Sequence, residues 1–356
     1  MQLDFNFLLY FLFIMFASYF YLKFLTNLYQ YQKLGIKKKL KTRQGIRWGD
    51  SLKSHYGGSV FSISIIFMNI FLIFFKTDFY FKNTEFFFVS VIILLASFFG
   101  FLDEKYNYSP IEKFFIQFFL AFFLLLNNKI INISPIYYFN IFFSLIYYIL
   151  IMNVINFFDN IDLGLSSFTL TILFFLFYIY FDKNDLFIII IITIIASIIP
   201  FIFFNKYPSK IFMGDIGSSQ IAVILLILTI NLFWDKNQIF AGYKNAFYNF
   251  GLQNLFFVLP IFDFFIVSLK RFLLGKSLLI GDTNHLSHIY LKFLRTPNYV
   301  AVYFSFLSSI SCLTYFYFKN YEYNYKITIF FLFYTLFFIL ISCTYLIIEQ
   351  KYKKLV

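Results

Sequence analysis

Charged residues are scarce in this chain of 356 residues, since Asp, Glu, Lys and Arg together make up only 13% of it. Hydrophobic residues make up 61%, and the mean hydropathy is +0.78. No single water-soluble core could bury so large an apolar fraction, which excludes an ordinary soluble globular protein. The composition therefore indicates an integral membrane protein.

Cysteine is scarcer still, with Cys312 and Cys343 as its two instances. Both lie in apolar stretches, far in sequence from any cluster of His or acidic residues that could complete a metal site. We therefore expect both thiols to fill packing roles. Internal repeats are also lacking, which argues against a secondary transporter built from inverted repeats.

Acidic residues number 17 against 29 Lys and Arg, which gives a formal net charge of +12. Basic residues beside apolar runs more often reflect membrane topology and attraction to anionic lipid than nucleic-acid binding. We expect no nucleic-acid partner. The densest basic group follows the first apolar run and comprises Lys33, Lys37, Lys38, Lys39, Lys41, Arg43, Arg47 and Lys53.

Long apolar runs recur along the whole chain, and each predicts a helix, because a membrane span needs about 20 mostly apolar residues. We predict an all-α, polytopic membrane protein of ten to eleven spans, with residues 1–356 as a single transmembrane domain. The first run lacks the features of a cleaved signal peptide and is expected to remain in the mature protein. Eleven runs lie near residues 3–25, 58–75, 86–102, 114–127, 131–152, 167–181, 186–204, 219–234, 251–270, 299–318 and 327–348.

The basic residues also predict the orientation of the spans. Under the positive-inside rule the basic loop after the first run is cytoplasmic, so the N-terminus lies outside and the C-terminus inside. Only eight of the 29 Lys and Arg residues then fall in outer loops. The predicted cytoplasmic loops are 26–57, 103–113, 153–166, 205–218 and 271–298.

Polar residues of the kind that carry chemistry gather in those cytoplasmic loops. The first cluster joins the adjacent carboxylates Asp103 and Glu104 to Lys113 and Gln117, which are one helical turn apart. The carboxylates could bind a divalent ion or accept a proton, and the Lys beside the Gln could hold a phosphate. An ordinary pair of loop charges is the alternative.

The second cluster spaces four polar residues three apart, so a helix would align them along one slowly rotating stripe. No Lys or Arg lies in this loop, which favours a metal or hydrogen-bonding ligand over salt bridges. The alternative is a set of turn formers in which Asp162 is the N-cap of the next helix. The four residues are Asn153, Asn156, Asp159 and Asp162.

The third and fourth clusters lie further along the chain. Asp215 sits between Gly214 and Gly217 before an apolar run, where close backbone approach and a helix N-terminus favour anions, and its carboxylate could bring Mg²⁺ to a diphosphate. Asp263 lies within an apolar run, a costly position that indicates function. The loop after it carries Arg271, Lys276, Asp282, Asn284, His285 and His288, which suit phosphate contact or proton transfer.

Together these motifs resemble the polyprenyl-phosphate N-acetylhexosamine-1-phosphate transferases of glycosyltransferase family 4. The resemblance covers about Lys53 to His288 and includes the Gly57–Gly58 pair, the acidic pair with its Lys and Gln, N-x-x-N-x-x-D-x-x-D, F-M-G-D-x-G-S and the His-rich loop. This family includes enzymes that initiate O-antigen, common antigen and teichoic acid linkage synthesis, and the phospho-MurNAc-pentapeptide translocase.

The resemblance implies that undecaprenyl phosphate attacks the β-phosphorus of a UDP-sugar and that UMP is released. It implies Mg²⁺, or Mn²⁺ as an alternative, held by Asp215 and Asp162, with Asp103 binding or deprotonating the lipid phosphate. It further implies a homodimer in the bacterial cytoplasmic membrane, with the active site on the cytoplasmic face. The implied catalytic residues are Asp103, Glu104, Asp159, Asp162, Asp215, His285 and His288, and the implied substrate-binding residues are Lys53, Lys113, Asn153, Asn156 and Arg271.

Three departures from the family pattern bear on this interpretation. The second acidic residue is Glu104 where the family has Asp, Leu163 separates Asp162 from the glycine of the usual D-G-L, and Ser287 replaces a histidine. The motifs P-x-x-D, R-x-x-x-G-x-S and D-x-N-H favour the GlcNAc-1-phosphate enzymes over the pentapeptide translocase. A membrane transporter or flippase is the alternative from another class.

Overall fold

The structure is a computed structural model and describes residues 5–32, 53–75, 83–182, 187–234, 242–273, 275, 285–319 and 341. Within these ranges the chain is almost entirely α-helical, as predicted, and the β-type pairing found there is one bridge between Ser54 and Ile211. The described helices are α1 (Phe5–Gln32), α2 (Ser59–Phe75), α3 (Thr84–Tyr106), α4 (Pro110–Leu126), α5 (Tyr137–Phe158), α6 (Gly164–Asp182), α7 (Ile188–Asn205), α8 (Gly214–Phe233), α9 (Tyr243–Leu255), α10 (Val258–Leu273), α11 (Leu286–Leu294) and α12 (Pro297–Lys319).

Seven of the described helices are long and apolar enough to cross a membrane: α1, α3, α5, α6, α7, α8 and α12. An eighth span results if α9 and α10 are counted as one broken span. The described residues thus support a polytopic membrane protein with seven or eight spans, and the predicted count of eleven is not confirmed. The second and fourth runs form helices of 17 residues, and run 327–348 lies outside the described residues. The orientation across the membrane stays a prediction.

The prediction of one continuous helix over 251–270 is wrong, because α9 and α10 meet at an angle of 85°. Between them the N–H groups of Phe256 and Phe257 bond to the carbonyls of Gln253 and Asn254, three residues back. Pro260, the third residue of α10, has no N–H to donate within a helix and is best accommodated in a first turn, where that N–H would have no partner. The proline therefore lies where a new helix starts. The loop predicted over 271–298 also contains a helix, α11.

The core of the fold consists of α7 and α8, whose side chains are almost all buried. Helix α3 packs along α8, which also contacts α5, while α1, α2 and α6 pack against α7. The peripheral helices expose large apolar side chains such as Phe20, Phe74 and Phe115, as a lipid environment requires. This arrangement brings the C-terminal ends of α3 and α5 next to the N-terminal end of α8.

The glycine pair before α2 allows a close approach to the segment that leads into α8. The N–H groups of Gly57 and Gly58 donate to the carbonyls of Phe212 and Met213 at 3.0 and 2.9 Å. A Cβ at Gly58 would lie 2.2 Å from the Cα of Gly217, a separation that no side chain can occupy. The two glycine-containing motifs of the sequence therefore bind each other through their backbones.

Replacing Gly58 by Ala should lower the free energy of unfolding by about 1–3 kcal/mol, since the added methyl group would meet backbone that cannot rotate away. Gly164→Ala is the matched control, because its Cβ would meet the side chain of Ile161 and not backbone. Denaturant unfolding of both variants in detergent checks the difference. Equal losses in the two variants would show that the contact with Gly217 is not the cause.

Candidate active site

The turn between α3 and α4 places a carboxylate and a lysine face to face. Asn107 ends α3 in the left-handed conformation with φ of 52°. Ser109 and Glu112 then form a capping box that starts α4, because each bonds the backbone N–H of the other. The result is that Lys113 Nζ lies 2.7 Å from Asp103 Oδ2. The prediction that Asp103 and Lys113 act together is consistent with this geometry.

Asp215 lies in the first turn of α8 and joins this pair from the other side. Lys113 Nζ is 3.5 Å from Asp215 Oδ2, so one ammonium group lies between two carboxylates. The side-chain amide of Asn156, on α5, donates to Asp215 Oδ1 at 2.8 Å and to Ser218 Oγ at 3.0 Å. Asp215 is thus oriented by a cation and an amide that come from different helices.

Glu104 makes a different contact from its neighbour Asp103. Its Oε1 accepts the backbone N–H of Asp215 at 3.0 Å and so caps the N-terminus of α8. Gly214 has a φ of +69°, and a Cβ there would lie 2.0 Å from the carbonyl oxygen of His55 and 2.9 Å from Glu104 Oε1. The start of α8 was predicted to attract a substrate anion. One of its N–H groups, that of Asp215, is bound instead by the carboxylate of Glu104.

The second cluster is helical only in part, and the prediction of one stripe is wrong beyond Phe158. Helix α5 ends there, and the N–H of Asp159 turns back to the carbonyl of Asn156. Asp162 lies off the helix, and since α6 begins at Gly164, the N-cap position falls on Leu163 and not on Asp162.

The partners of Asp162 come from outside its own loop. The backbone N–H of Ser209 donates to Asp162 Oδ2 at 3.4 Å, and Lys53 exerts an attraction on the same carboxylate. Lys53 Nζ also donates to Ser209 Oγ at 3.1 Å. The loop itself contains no Lys or Arg. The positive charge near Asp162 comes instead from Lys53, which precedes α2 in the chain. Burial nevertheless raises the pKa of Asp162 above its ordinary value.

The side chain of Asn153 forms hydrogen bonds with other residues of the protein. Its side-chain amide exchanges two hydrogen bonds with that of Gln117, at 2.7 and 3.1 Å, which joins α5 to α4 one turn above Lys113. Asn153 Nδ2 also donates to the carbonyl of Ile149. Its predicted role in binding substrate stays a prediction, while the geometry describes a residue that fixes where Lys113 lies.

Asp159 has three like-charged neighbours. Desolvation by the surrounding protein, together with the negative charges of Asp215, Glu104 and Asp162, raises the pKa of Asp159 to about 8. A positive ion bound among these carboxylates would relieve the repulsion. This is the electrostatic environment expected of a site for a cation or for a shared proton.

The fourth cluster lies against the end of α5. Asp263 of α10 accepts hydrogen bonds from the ring of His285 and the backbone N–H of Leu286. The Phe157 ring stacks on His285, with centroids 6.2 Å apart, and the Arg271 guanidinium lies 5.9 Å from the Phe157 centroid.

Further contacts continue this side of the site. Ser287 Oγ bonds with Asn160 Oδ1, and the ring of His288 is 6.3 Å from that of His285. Lys276, Asp282 and Asn284, which the sequence also singled out, lie outside the described residues.

Residues 156–160 at the end of α5 therefore contact both halves of the predicted site. Asn156 reaches the carboxylates, whereas Phe157 and Asn160 reach the His loop. Phe157 could not be identified as a site residue from the sequence, because aromatic residues make up 26% of the chain and a single ring carries no signal. Ser209 was missed for a similar reason, because a lone loop serine has no distinguishing pattern.

A hard divalent cation fits the oxygen ligands on the carboxylate side. Within the described ranges, no group of three or more His, Cys, Asp or Glu side chains forms a preformed metal site. Mg²⁺ requires fewer, since it is usually bound by one or two carboxylates together with substrate phosphates. Asp215 and its neighbours supply that number. The specific pairing of Asp215 with Asp162 stays a prediction.

The fold and this geometry define a helical membrane protein with an acidic polar site where several helix ends meet. Residues 86–233 match the model of glycosyl transferase family 4. A phospho-N-acetylmuramoyl-pentapeptide-transferase of Dictyoglomus turgidum is 29% identical over 185 residues, which cover 49% of this chain and 58% of that protein. A probable undecaprenyl-phosphate N-acetylglucosaminyl 1-phosphate transferase of Bacillus subtilis is 24% identical over 221 residues, covering 57% of this chain and 56% of that protein.

The chain is therefore similar to glycosyl transferase family 4 over less than half of its length. A further relative, a phospho-N-acetylmuramoyl-pentapeptide-transferase of Streptococcus thermophilus, is 40% identical over 82 residues, or 22% of this chain and 24% of that protein. The chain spans little more than half the length of the longest-matching of these relatives. The family match runs from α3 to α8 and so contains the whole carboxylate side of the site.

The raised pKa of Asp159 predicts how stability depends on pH. Its folded pKa of about 8 lies above the ordinary value of 3.8, so its protonation stabilises the fold fully below pH 3.8, and this stabilisation is lost as pH rises through 8. Asp159→Asn should therefore stabilise the protein relative to wild type at pH 9, and less so at pH 6.

Unfolding midpoints at the two pH values, measured in detergent without divalent cations, check this prediction. Glu112→Gln is the control, since that carboxylate is exposed on α4, and its removal should leave the pH dependence between 6 and 9 as in wild type. A wild-type midpoint that does not fall relative to that of Asp159→Asn would contradict the prediction.

The cap formed by Glu104 predicts different effects of two substitutions. Glu104→Ala removes the acceptor for the N–H of Asp215 and should lower the free energy of unfolding by about 1 kcal/mol. Glu104→Gln keeps an acceptor and should lose less, because it also removes a negative charge beside Asp159. Denaturant unfolding compares the two variants. If Glu104→Gln has a lower free energy of unfolding than Glu104→Ala, capping is not the main contribution of Glu104 to stability.

Proposed function

We propose that this protein transfers a sugar-1-phosphate from a UDP-sugar to undecaprenyl phosphate and releases UMP. The observation that carries the proposal is the position of Lys113, whose ammonium group lies between Asp103 and Asp215 at 2.7 and 3.5 Å. The match of residues 86–233 to the model of glycosyl transferase family 4 supports the same reaction class. The site would lie at the cytoplasmic face of the bacterial cytoplasmic membrane, where a soluble nucleotide can meet a lipid headgroup.

In the proposed reaction an oxygen of the lipid phosphate forms a bond to the β-phosphorus of the UDP-sugar. The bond from that phosphorus to the bridging oxygen breaks, and UMP leaves with the oxygen. Lys113 would attract the lipid phosphate, and Asp103 beside it would accept any proton that phosphate carries. Much of the rate enhancement in phosphoryl transfer comes from holding the attacking oxygen in line with the leaving oxygen, on opposite sides of the phosphorus.

The carboxylate side suits Mg²⁺ as the cofactor, with Mn²⁺ as an alternative. Asp215 is the proposed principal ligand, and Asp162 the second. A cation held by these residues would supply positive charge to offset the negative charge that develops on the diphosphate. Asn156 keeps Asp215 oriented, and a cation nearby would favour the ionised form of Asp159, whose pKa is raised by burial and by the surrounding carboxylates.

Lys53, Asn156 and Asp159 are proposed to bind the nucleotide, and Arg271, His285 and His288 the diphosphate or the sugar. Arg271 and His285 are 2% and 4% exposed, so substrate would meet them in a largely desolvated environment where charged contacts are strong. A homodimer within the lipid bilayer is part of the same proposal.

The sugar is proposed to be GlcNAc or a related N-acetylhexosamine, which would make this the initiating step of a cell-envelope glycan such as O-antigen, common antigen or a teichoic acid linkage. The motifs around Asp263, Arg271 and His285 favour this choice. Transfer of phospho-MurNAc-pentapeptide is the second candidate, because two of the relatives named above carry that activity in their names.

Release of UMP by purified protein with undecaprenyl phosphate and Mg²⁺ tests the proposal. UDP-GlcNAc should support release, UDP-MurNAc-pentapeptide should not, and chelation of the cation should stop the reaction. Asp215→Asn should lower the rate at least about 100-fold, since charge stabilisation in the transition state is lost. Glu112→Gln, which removes an exposed carboxylate from the same end of α4, should keep wild-type activity.

Each outcome of this assay is decisive for one candidate. Release with only the pentapeptide substrate would replace the proposed sugar. Release that survives Asp215→Asn would overturn the assignment of Asp215. No release from UDP-GlcNAc, from its deoxy-hexosamine relatives or from the pentapeptide substrate would overturn the transferase and favour a transporter or flippase.

A further inference from the structure

Asp263 is a carboxylate that the mechanism above leaves without a role. It lies in α10, it is 1% exposed, and apolar residues flank it in the sequence. Burying a carboxylate is unfavourable unless hydrogen bonds replace the water it loses. The reason for its position must therefore lie in the groups that it contacts.

Both oxygens of Asp263 are engaged by the start of α11. Oδ2 lies 2.9 Å from the Nδ1 of His285, and Oδ1 accepts the backbone N–H of Leu286 at 2.7 Å. An ionised carboxylate can only accept hydrogen bonds, so Nδ1 must carry a hydrogen. The neutral ring is then the Nδ1–H tautomer, and Nε2 is the nitrogen left for a substrate.

Other contacts hold the ring of His285 in one plane. Phe157 stacks on it with an interplanar angle of 27°, and Ser287, two residues further along the chain, is bonded to Asn160. Both partners belong to the end of α5, whose Asn156 contacts Asp215. The imidazole is thus fixed to the same short segment that orients the carboxylate side of the site.

We propose that Asp263 is a positioning residue that holds His285 in the Nδ1–H form, with Nε2 presented to the diphosphate of the substrate. This inference rests on the proposed function for the identity of the substrate. Nε2 then accepts a hydrogen bond or proton, or donates one when the ring is protonated. A purely structural alternative is that Asp263 only caps the first turn of α11.

Asp263→Asn separates the two roles. Asparagine has one acceptor oxygen where aspartate has two, so it cannot accept from both Leu286 and Nδ1–H. If it keeps the bond to Leu286, its amide can donate to Nδ1 and favour the opposite tautomer. The cap survives, while the control over the imidazole is lost.

The first measurement is the nitrogen spectrum of the full chain in detergent, labelled with ¹⁵N-histidine. The chain has three histidines, so His55→Asn and His288→Asn assign the signals of His285 by subtraction. At a pH where the ring is neutral, the wild type should show the hydrogen on Nδ1 and none on Nε2. Asp263→Asn should shift the population towards the Nε2–H form.

Ser287→Ala is the matched control for this spectrum. It removes a contact of the same helix turn but leaves the bond between Asp263 and His285 in place. The spectrum of His285 should then stay in the Nδ1–H form. A shift as large as in Asp263→Asn would mean that general loosening of α11, and not the carboxylate, sets the tautomer.

The second measurement is a double-mutant cycle on the rate of UMP release. Asp263→Asn should lower kcat/KM about 100-fold, as expected when a proton-exchanging group is misplaced. If Asp263 acts through His285, the double variant with His285→Gln should be no slower than His285→Gln alone. Losses that multiply would show that Asp263 acts independently, and would overturn the proposal.

The two measurements also separate this inference from the proposed function. The spectrum needs no turnover, so it can be read even if no substrate is found. A wild-type ring with its hydrogen on Nε2 overturns the inference whatever the enzyme does. A spectrum as expected without UMP release would overturn the proposed function and leave the role of Asp263 in fixing the tautomer intact.

Discussion

Repulsion among carboxylates at one end of the helix bundle is the constraint on which the rest of the site depends. This end of the bundle brings together Asp103 and Glu104 of α3, Asp215 of α8 and Asp159, which follows α5. Neighbouring like charges oppose folding unless each is compensated. The compensation differs for each group. Lys113 attracts Asp103 and Asp215, and Glu104 accepts a backbone N–H at the start of α8. For Asp159, the repulsion contributes to its raised pKa.

Such an arrangement is unfavourable for stability and useful for binding. Replacing a carboxylate in it should often stabilise the protein, as is common where a site has been selected for binding and not for folding. The same crowding creates a strong local potential for a cation and for the cationic side chain that accompanies it. The glycines at 58 and 214 make the crowding possible, because any side chain there would keep the helix ends apart.

The end of α5 connects this acidic side to the imidazole side. Contacts from Asn156, Phe157 and Asn160 reach α8, the ring of His285 and the first turn of α11, respectively. A movement of α5 along its axis would shift both halves of the site together. The reciprocal amide pair of Asn153 and Gln117 resists that movement by binding α5 to α4.

Much of this could be predicted from the sequence, because hydropathy and polar spacing are strong signals in a membrane protein. The helical class and the convergence of the four clusters followed from where charged residues interrupt apolar runs. The bend between α9 and α10, just before Pro260, was missed because hydropathy does not register a missing N–H. The true partners of Asp162 and Asp263 could not be predicted, since Ser209 and His285 lie 47 and 22 residues away and only the folded chain brings them together.

The capping box at the start of α4 has a consequence for how this part of the chain can vary in length. Lys113 is counted from Ser109, and one residue inserted between them would turn the lysine by about 100° around the helix, away from both of its carboxylates. An insertion before Ser109 would lengthen the connection from α3, in which the Tyr108 N–H donates to Asp103 Oδ1 at 3.1 Å, while the capping box would still start α4 with Lys113 in register. Tolerance to insertion should therefore fall at Ser109, because this helix cap sets where Lys113 lies.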